Sequence, residues 1–178
     1  MQRGRHVQTF VSGALMFQTR IQIQDALSRT GRRMALEDAD EFALLLCGGS
    51  ALSLLGLVDR PTRDVDVLGI VKGEKRDLVV AEFLPEQITK AAEMVARDLN
   101  LPLDWLNDAA LEVQRLGLPT GIVGRAQKRE YGSCLTVYLL SRQDQVALKL
   151  YAAIDPAKGE RHLNDLLAIG PTQAEMEQ

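Results

Sequence analysis

A chain of 178 residues, 46% apolar and 25% charged, is about one domain long and can bury an ordinary globular core. Its 21 basic and 24 acidic residues give a net charge of −3 without a concentrated basic run, which argues against a general nucleic-acid binder. No apolar run reaches the roughly 20 residues of a membrane span, and the cysteines and histidines show no zinc spacing. We therefore expect a cytoplasmic protein in which Cys47 and Cys134 are buried thiols.

The start of the chain, residues 1–20, mixes basic residues with a short apolar patch and shows no clear cleavage signal. We expect this segment to be a leader that is poorly ordered or loosely docked. Residues 21–170 then form one domain, whose C-terminal helices cover 141–170, and residues 171–178 form a tail.

In the first half of the domain, helical and strand-like apolar patterns follow one another. The strand-like run before Gly48-Gly49 is continuously apolar, which is typical of a buried strand that ends in a tight turn. Ser50 can cap the helix that follows. The pattern predicts a helix at 21–33, a strand at 42–47, a short helix at 51–57, a strand at 64–71 and a helix at 86–100.

The second half of the domain is harder to interpret, and residues 107–133, rich in glycine, give no assignment. Ser141 resembles a helix cap. The remaining pattern predicts a short strand at 101–106, a strand at 135–140, a helix through 154 and a last helix at 161–169. Strands that alternate with helices predict an α/β (α+β) domain, with a mixed sheet flanked by helices and a helical C-terminal end.

The strand predicted at 64–71 carries two aspartates in an otherwise apolar run. Side chains alternate along a strand, so Asp64 and Asp66 project on the same face about 7 Å apart. Two like charges this close are unfavourable unless a cation lies between them, and Mg²⁺ (or Mn²⁺) prefers carboxylate and phosphate oxygens. The alternative is an edge strand with a solvated acidic face.

Gly48, Gly49 and Ser50 lie between a predicted strand and a predicted helix. Without Cβ atoms the glycines let backbone N–H groups approach an anion, and the helix N-terminus and the serine hydroxyl favour a phosphate. Taken alone, this tripeptide is more often a plain turn. Because an Asp-x-Asp follows on the next strand, the pair of motifs predicts a nucleotide site in which phosphate and metal lie side by side.

Together these motifs resemble the nucleotidyltransferase fold of the DNA polymerase β superfamily, whose signature is a Gly-Gly/Ser turn, a helix and a strand with Asp-x-Asp. In particular, the chain looks like the bacterial AbiEii-like and related small nucleotidyltransferases. The resemblance covers residues 43–169 and rests on Gly48, Gly49, Ser50, Ala51, Arg60, Thr62, Arg63, Asp64, Val65, Asp66, the WLND at 105–108, Lys149 and Asp165.

This resemblance implies roles for several of the matched residues. Asp64 and Asp66 would hold the metal, and the nucleotide would be bound by Gly48, Gly49, Ser50, Thr62, Arg63 and Lys149. Relatives often use a third carboxylate to activate the attacking hydroxyl. Asp104 is the first candidate for that role and Asp108 the second, while a plain loop role fits both equally well.

Lys149 and Asp165 complete the set of catalytic candidates that the resemblance implies. Lys149 has apolar neighbours, so we expect it to be semi-buried beside an anion, either Asp165 or a triphosphate; the alternative is a solvated helix residue. Arg63 has a structural alternative because it faces away from Asp64 on an ideal strand. Trp105 is predicted to be a core residue and His162 a surface residue.

The resemblance thus implies a Mg²⁺-dependent nucleotidyltransferase that moves a nucleoside monophosphate from an NTP to a hydroxyl acceptor, which could be a protein, an RNA such as tRNA, or a small molecule. The competing interpretation is a non-catalytic binding or regulatory module, such as a toxin–antitoxin component with a cognate partner protein. Oligomer formation is left open. A P-loop phosphotransferase is not supported, because the sequence has no G-x-x-x-x-G-K-[ST] motif.

Overall fold

The computed structural model describes residues 16–79, 81–154 and 159–177, and within these ranges six strands form one mixed sheet. The strand order is β3-β2-β1-β6-β5, and β4 pairs with the start of β2. The pairs β1–β6 and β2–β4 are parallel, and the other pairs are antiparallel. The strands are β1 (Phe42–Cys47), β2 (Val65–Lys72), β3 (Asp77–Val79), β4 (Leu106–Asn107), β5 (Gln127–Glu130) and β6 (Leu135–Leu139).

Helices pack on both faces of this sheet. This is seen at β1, where successive side chains belong to two different apolar clusters. Leu44 and Leu46 pack with residues of α1 and α3, whereas Leu45 packs with residues of α4. A third cluster joins α2, α5 and α6. The helices are α1 (Arg20–Leu36), α2 (Gly48–Leu54), α3 (Glu86–Leu99), a 3₁₀ helix (Ala109–Leu116), α4 (Ile122–Arg125), α5 (Arg142–Ala153), α6 (Gly159–Ile169) and α7 (Gln173–Met176).

The predicted fold class is confirmed: the domain is α+β, with a mixed sheet flanked by helices and helices at its C-terminal end. The strand predicted at 42–47 is found with the same bounds, and the Ser141 hydroxyl caps α5 by accepting a hydrogen bond from the Asp144 N–H. Both cysteines are buried free thiols, and Trp105 is fully buried, as predicted.

Two predicted elements are wrong in their bounds. Residues 101–105 are loop and turn rather than strand, because Pro102 lacks an N–H and the Trp105 N–H donates to the Pro102 carbonyl oxygen at 3.1 Å within a turn. Only Leu106–Asn107 of that run pairs with β2. The second helix begins at Gly48 rather than at 51, so Ser50 lies in its first turn and is not its N-cap.

The ends of the described chain contribute more than the predicted leader and tail. Phe17 is buried, its backbone pairs with that of Thr62, and its ring meets Trp105 edge to face at 5.7 Å. Residues 1–15 of the predicted leader lie outside the described residues. The predicted tail contains α7, which Arg142 ties to α5 through an ion pair with Glu175. None of the helices in the described ranges has the length and apolarity needed to cross a bilayer.

Candidate functional site

A cleft of about 990 Å³ opens where β1 and β2 face α5 and α6. One part of its lining is polar and charged and includes Gly48, Gly49, Asp64, Asp66, Lys149, Arg161 and His162. The other part is apolar and comes from β2, the 3₁₀ helix and α5, with Leu68, Ala110, Val113, Leu148 and Ala152. The cleft therefore offers a charged end and an apolar wall to a single ligand.

The two aspartates reach this cleft because of where β2 begins. Asp64 directly precedes the strand and Asp66 is its second residue, so both carboxylates lie on one face, as the alternation predicts. Asp66 is in register with Cys47 on one side and with Asn107 of β4 on the other. The Asn107 side-chain amide donates to an Asp66 carboxylate oxygen at 3.5 Å.

The electrostatics of Asp66 favour a cation at this end of the cleft. Partial burial raises the pKa of Asp66 above its ordinary value, and the charge of Asp64 raises it further. A bound divalent cation would remove both penalties. No group of three His, Cys, Asp or Glu side chains able to hold a metal is found among the described residues. Such a cation would therefore draw its remaining ligands from water or from oxygens of a bound molecule.

The two glycines make room for charged side chains of this site. Gly48 has a φ of 76°, and a Cβ there would collide with the Asp66 carboxylate, so only glycine fits at this point. At Gly49 a Cβ would lie 2.8 Å from an Arg60 guanidinium nitrogen. The Gly-Gly pair is thus needed for close packing around Asp66 and Arg60, whether or not it also contacts a phosphate.

We expect Gly48→Ala to lower the free energy of unfolding by about 2 kcal/mol or more, since the alanine would adopt a left-handed backbone and displace Asp66. Thermal or urea unfolding measures the loss. Gly124→Ala is the matched control, because Gly124 lies in α4 with open space around its missing Cβ and has no positive φ. Equal stability of the two variants would contradict the proposed packing.

Lys149, which lines the cleft, is joined behind it by two further charged side chains, Asp165 and Arg60. The Lys149 Nζ lies 2.7 Å from Asp165 Oδ2, and Arg60 donates to both oxygens of Asp165 at 2.6 and 2.8 Å. Burial raises the pKa of Asp165, but the hydrogen bonds from Arg60 and Lys149 outweigh it and hold the pKa below its ordinary value. Lys149 is buried beside an anion, and of the two anions that we left open, Asp165 is the one in contact with it. Two cations sharing one carboxylate leave a net positive charge.

α6 adds two further residues to the cleft. Arg161 is exposed, and its charge lowers the pKa of Asp66. His162 is partly exposed, and it lines the cleft with its Nδ1 3.4 Å from the Lys149 Nζ, a contact that the sequence did not predict. Cys47 also lines the cleft, but burial and the neighbouring Asp66 raise the pKa of its thiol. Because the thiol stays protonated at neutral pH, Cys47 is no nucleophile here.

Five of the predicted site residues are not among the described lining residues of this cleft: Asp165, which lies behind Lys149, and Ser50, Thr62, Arg63 and Asp104. Asp104 lies in an exposed turn and pairs with Arg63 at 3.1 Å, so neither side chain reaches Asp66. Thr62 is buried, and its hydroxyl donates to the Asp64 carbonyl oxygen. Ser50 is fully buried in α2, where its hydroxyl has no partner among the described residues. Asp108, the second candidate for a third carboxylate, precedes the 3₁₀ helix and is likewise absent from the described lining.

Sequence reasoning gives no role to Arg161 or to three other residues that the structure brings to the site. Asn107 lies beside Asp66, a few residues from the expected third carboxylate. Arg60 enters the sequence argument only as part of a motif, and its partner Asp165 is 105 residues distant in sequence. Gln145 lines the cleft one turn before Lys149, and a glutamine in a helical pattern carries no signal of its own.

Comparison with family models, with curated proteins and with solved structures finds no match for this chain. What the site does must therefore be argued from its own geometry.

Proposed function

We propose that this protein is a nucleotidyltransferase that uses a divalent cation, Mg²⁺ or Mn²⁺, to move a nucleoside monophosphate from an NTP to a hydroxyl acceptor. The observation that carries the proposal is the cleft itself, in which Asp64 and Asp66 face Lys149 and Arg161. Acidic groups suited to a hard cation and basic groups suited to phosphates are thus found in one cavity. An apolar wall beside them suits a nucleobase.

The residues divide into a metal side and a phosphate side. Asp64 and Asp66 would hold the cation, which would neutralise charge on the phosphate oxygens of the bound nucleotide. Lys149 has three donor hydrogens and shares them with Asp165 and His162, so it keeps donor capacity for a phosphate. Asp165 fixes the position of the lysine, and Arg60 fixes Asp165. Positioning and charge stabilisation of this kind are the main requirements of phosphoryl transfer.

The test is transfer of label from each of the four α-labelled NTPs to cell extract, tRNA or protein in the presence of Mg²⁺. We expect the wild type to label an acceptor and Asp64→Ala to lose about a thousandfold in rate, since metal-held charge is the largest contribution to such reactions. Asp104→Ala is the matched control, because this exposed carboxylate lies outside the cleft. Transfer that persists in Asp64→Ala, or is lost equally in Asp104→Ala, would overturn the assignment of the site.

A second candidate function is a non-catalytic module that binds nucleotide through the same cleft. It is favoured by Asn107, an amide in register beside Asp66, and by the exposed position of Asp104. Neither observation adds a third carboxylate to the cleft, since the carboxylates among its described lining residues are those of Asp64 and Asp66. The two functions differ in one result, since the module would bind NTP with Mg²⁺ and transfer no label.

A further inference from the structure

Gln145 is the least explained polar side chain that borders the cleft. It lies on α5 and is fully buried, yet neither its amide oxygen nor its amide nitrogen has a hydrogen-bond partner among the described residues. Buried polar groups nearly always have hydrogen-bond partners, and a buried amide whose donor and acceptor both lack one destabilises the folded protein. A ligand in the cleft could supply the partner that the protein does not, once the glutamine side chain turns toward the cleft to expose its amide.

The position of Gln145 fits a ligand that also reaches the charged end. Gln145 precedes Lys149 by one helical turn, so the two side chains lie on the same face of α5 and both line the cleft. Leu148 of the same helix, with Val113 and Leu68, forms the apolar lining nearby. A molecule with phosphates near Lys149 would extend a flat apolar part along this wall and past the Gln145 amide.

We infer that Gln145 is the residue that selects the base of the bound nucleotide, an inference that rests on the proposed function. A carboxamide offers one donor and one acceptor side by side, and the edge of a nucleobase offers the complementary pair. In an apolar environment the wrong base would leave both the base and the glutamine unpaired. This loss of hydrogen bonds discriminates between the right and the wrong base far better than apolar contact alone.

The experiment measures the affinities of ATP, GTP, CTP and UTP analogues with a non-cleavable α,β-bridge, and of inorganic tripolyphosphate, by calorimetry with Mg²⁺. We expect the wild type to prefer one base by about tenfold or more, as a two-bond contact provides. In Gln145→Leu the four affinities should converge to within about threefold, while the tripolyphosphate affinity stays the same. Gln145→Glu, which can only accept hydrogen bonds, should change the order of preference.

Two controls separate recognition from folding. Gln143→Leu makes the same change on the exposed face of α5, and it should keep the wild-type preference. Gln145→Leu removes an unpaired buried amide, so its melting temperature should equal or exceed that of the wild type. Equal affinity of the wild type for all four bases, or an unchanged preference in Gln145→Leu, would overturn the inference and leave the proposed function standing. Failure of the wild type to bind either NTP or tripolyphosphate with Mg²⁺ would overturn both.

Discussion

Asp165→Ala should lower the free energy of unfolding by about 3–5 kcal/mol at pH 7, because it leaves two cations together without their shared carboxylate. Asp165 is 2% exposed and Lys149 6%, so water does little to screen the repulsion of Lys149 and Arg60 that remains. The ion pairs also connect the turn before β2 with α5 and α6, and they hold the two helices against the sheet. For a domain of this size the melting temperature should fall by about 10 °C or more.

Matched variants show whether the loss comes from the buried triad. Lys149→Met should lose less, about 2 kcal/mol, because Asp165 keeps both hydrogen bonds from Arg60. Asp98→Ala removes a carboxylate from the more exposed pair with Arg33 and should lose at most about 1 kcal/mol. If Asp165→Ala, Lys149→Met and Asp98→Ala all lose the same free energy of unfolding, Asp165 contributes no more to stability than an exposed carboxylate.

The Asp165 carboxylate also makes the free energy of unfolding depend on pH, in a direction that follows from its lowered pKa. The pKa of Asp165 in the folded protein lies below its ordinary value of 3.8, so its contribution to stability is present above pH 3.8 and disappears as the pH falls through the lower folded value. The stability difference between the wild type and Asp165→Ala should therefore be constant near neutrality and shrink below about pH 4. Unfolding by urea at several pH values measures this.

The parts of the fold that sequence predicts well are those whose own residues determine their structure. β1 is continuously apolar and α3 carries a full amphipathic face, and the sequence pattern locates both closely. β5 reads Gln-Lys-Arg-Glu, and its strand conformation comes from pairing with β6, which no local pattern shows. β3 is three residues long and is likewise defined by its pairing partner.

The candidate site also contains residues that the sequence locates and residues that only the folded structure shows. Asp64 and Asp66 are two residues apart at the start of one strand, so the alternation of side chains is enough to place them together. The residue that lies beside Asp66 on the neighbouring strand depends on where β4 begins to pair with β2. The turn from Pro102 to Trp105 delays this pairing, so Asn107 rather than Asp104 is in register with Asp66. Lys149 and Asp165 are matched through a resemblance, whereas the role of Arg60 follows only from the folded contact.

Asp66→Asn should separate the stability of the fold from the proposed binding of metal, because we expect it to change the two in opposite directions. In the metal-free wild type, Asp66 is half-buried beside Asp64, and the raised pKa of its carboxyl shows that the ionised form is disfavoured. Asparagine has nearly the same shape without the charge. The metal-free variant should therefore melt a few degrees above the metal-free wild type at pH 7.

Added Mg²⁺ with an NTP should reverse that order. A ligand at a hundred times its dissociation constant stabilises the folded state by about 2.7 kcal/mol, so the wild type should gain several degrees in melting temperature. Asp66→Asn should gain little, since the single carboxylate of Asp64 would be a poor site for the proposed cation. Asp104→Asn, altered outside the cleft, should respond to Mg²⁺ as the wild type does. If Mg²⁺ and NTP stabilise Asp66→Asn as much as the wild type, the two aspartates do not hold the cation and are only half-buried acidic residues at the start of an interior strand.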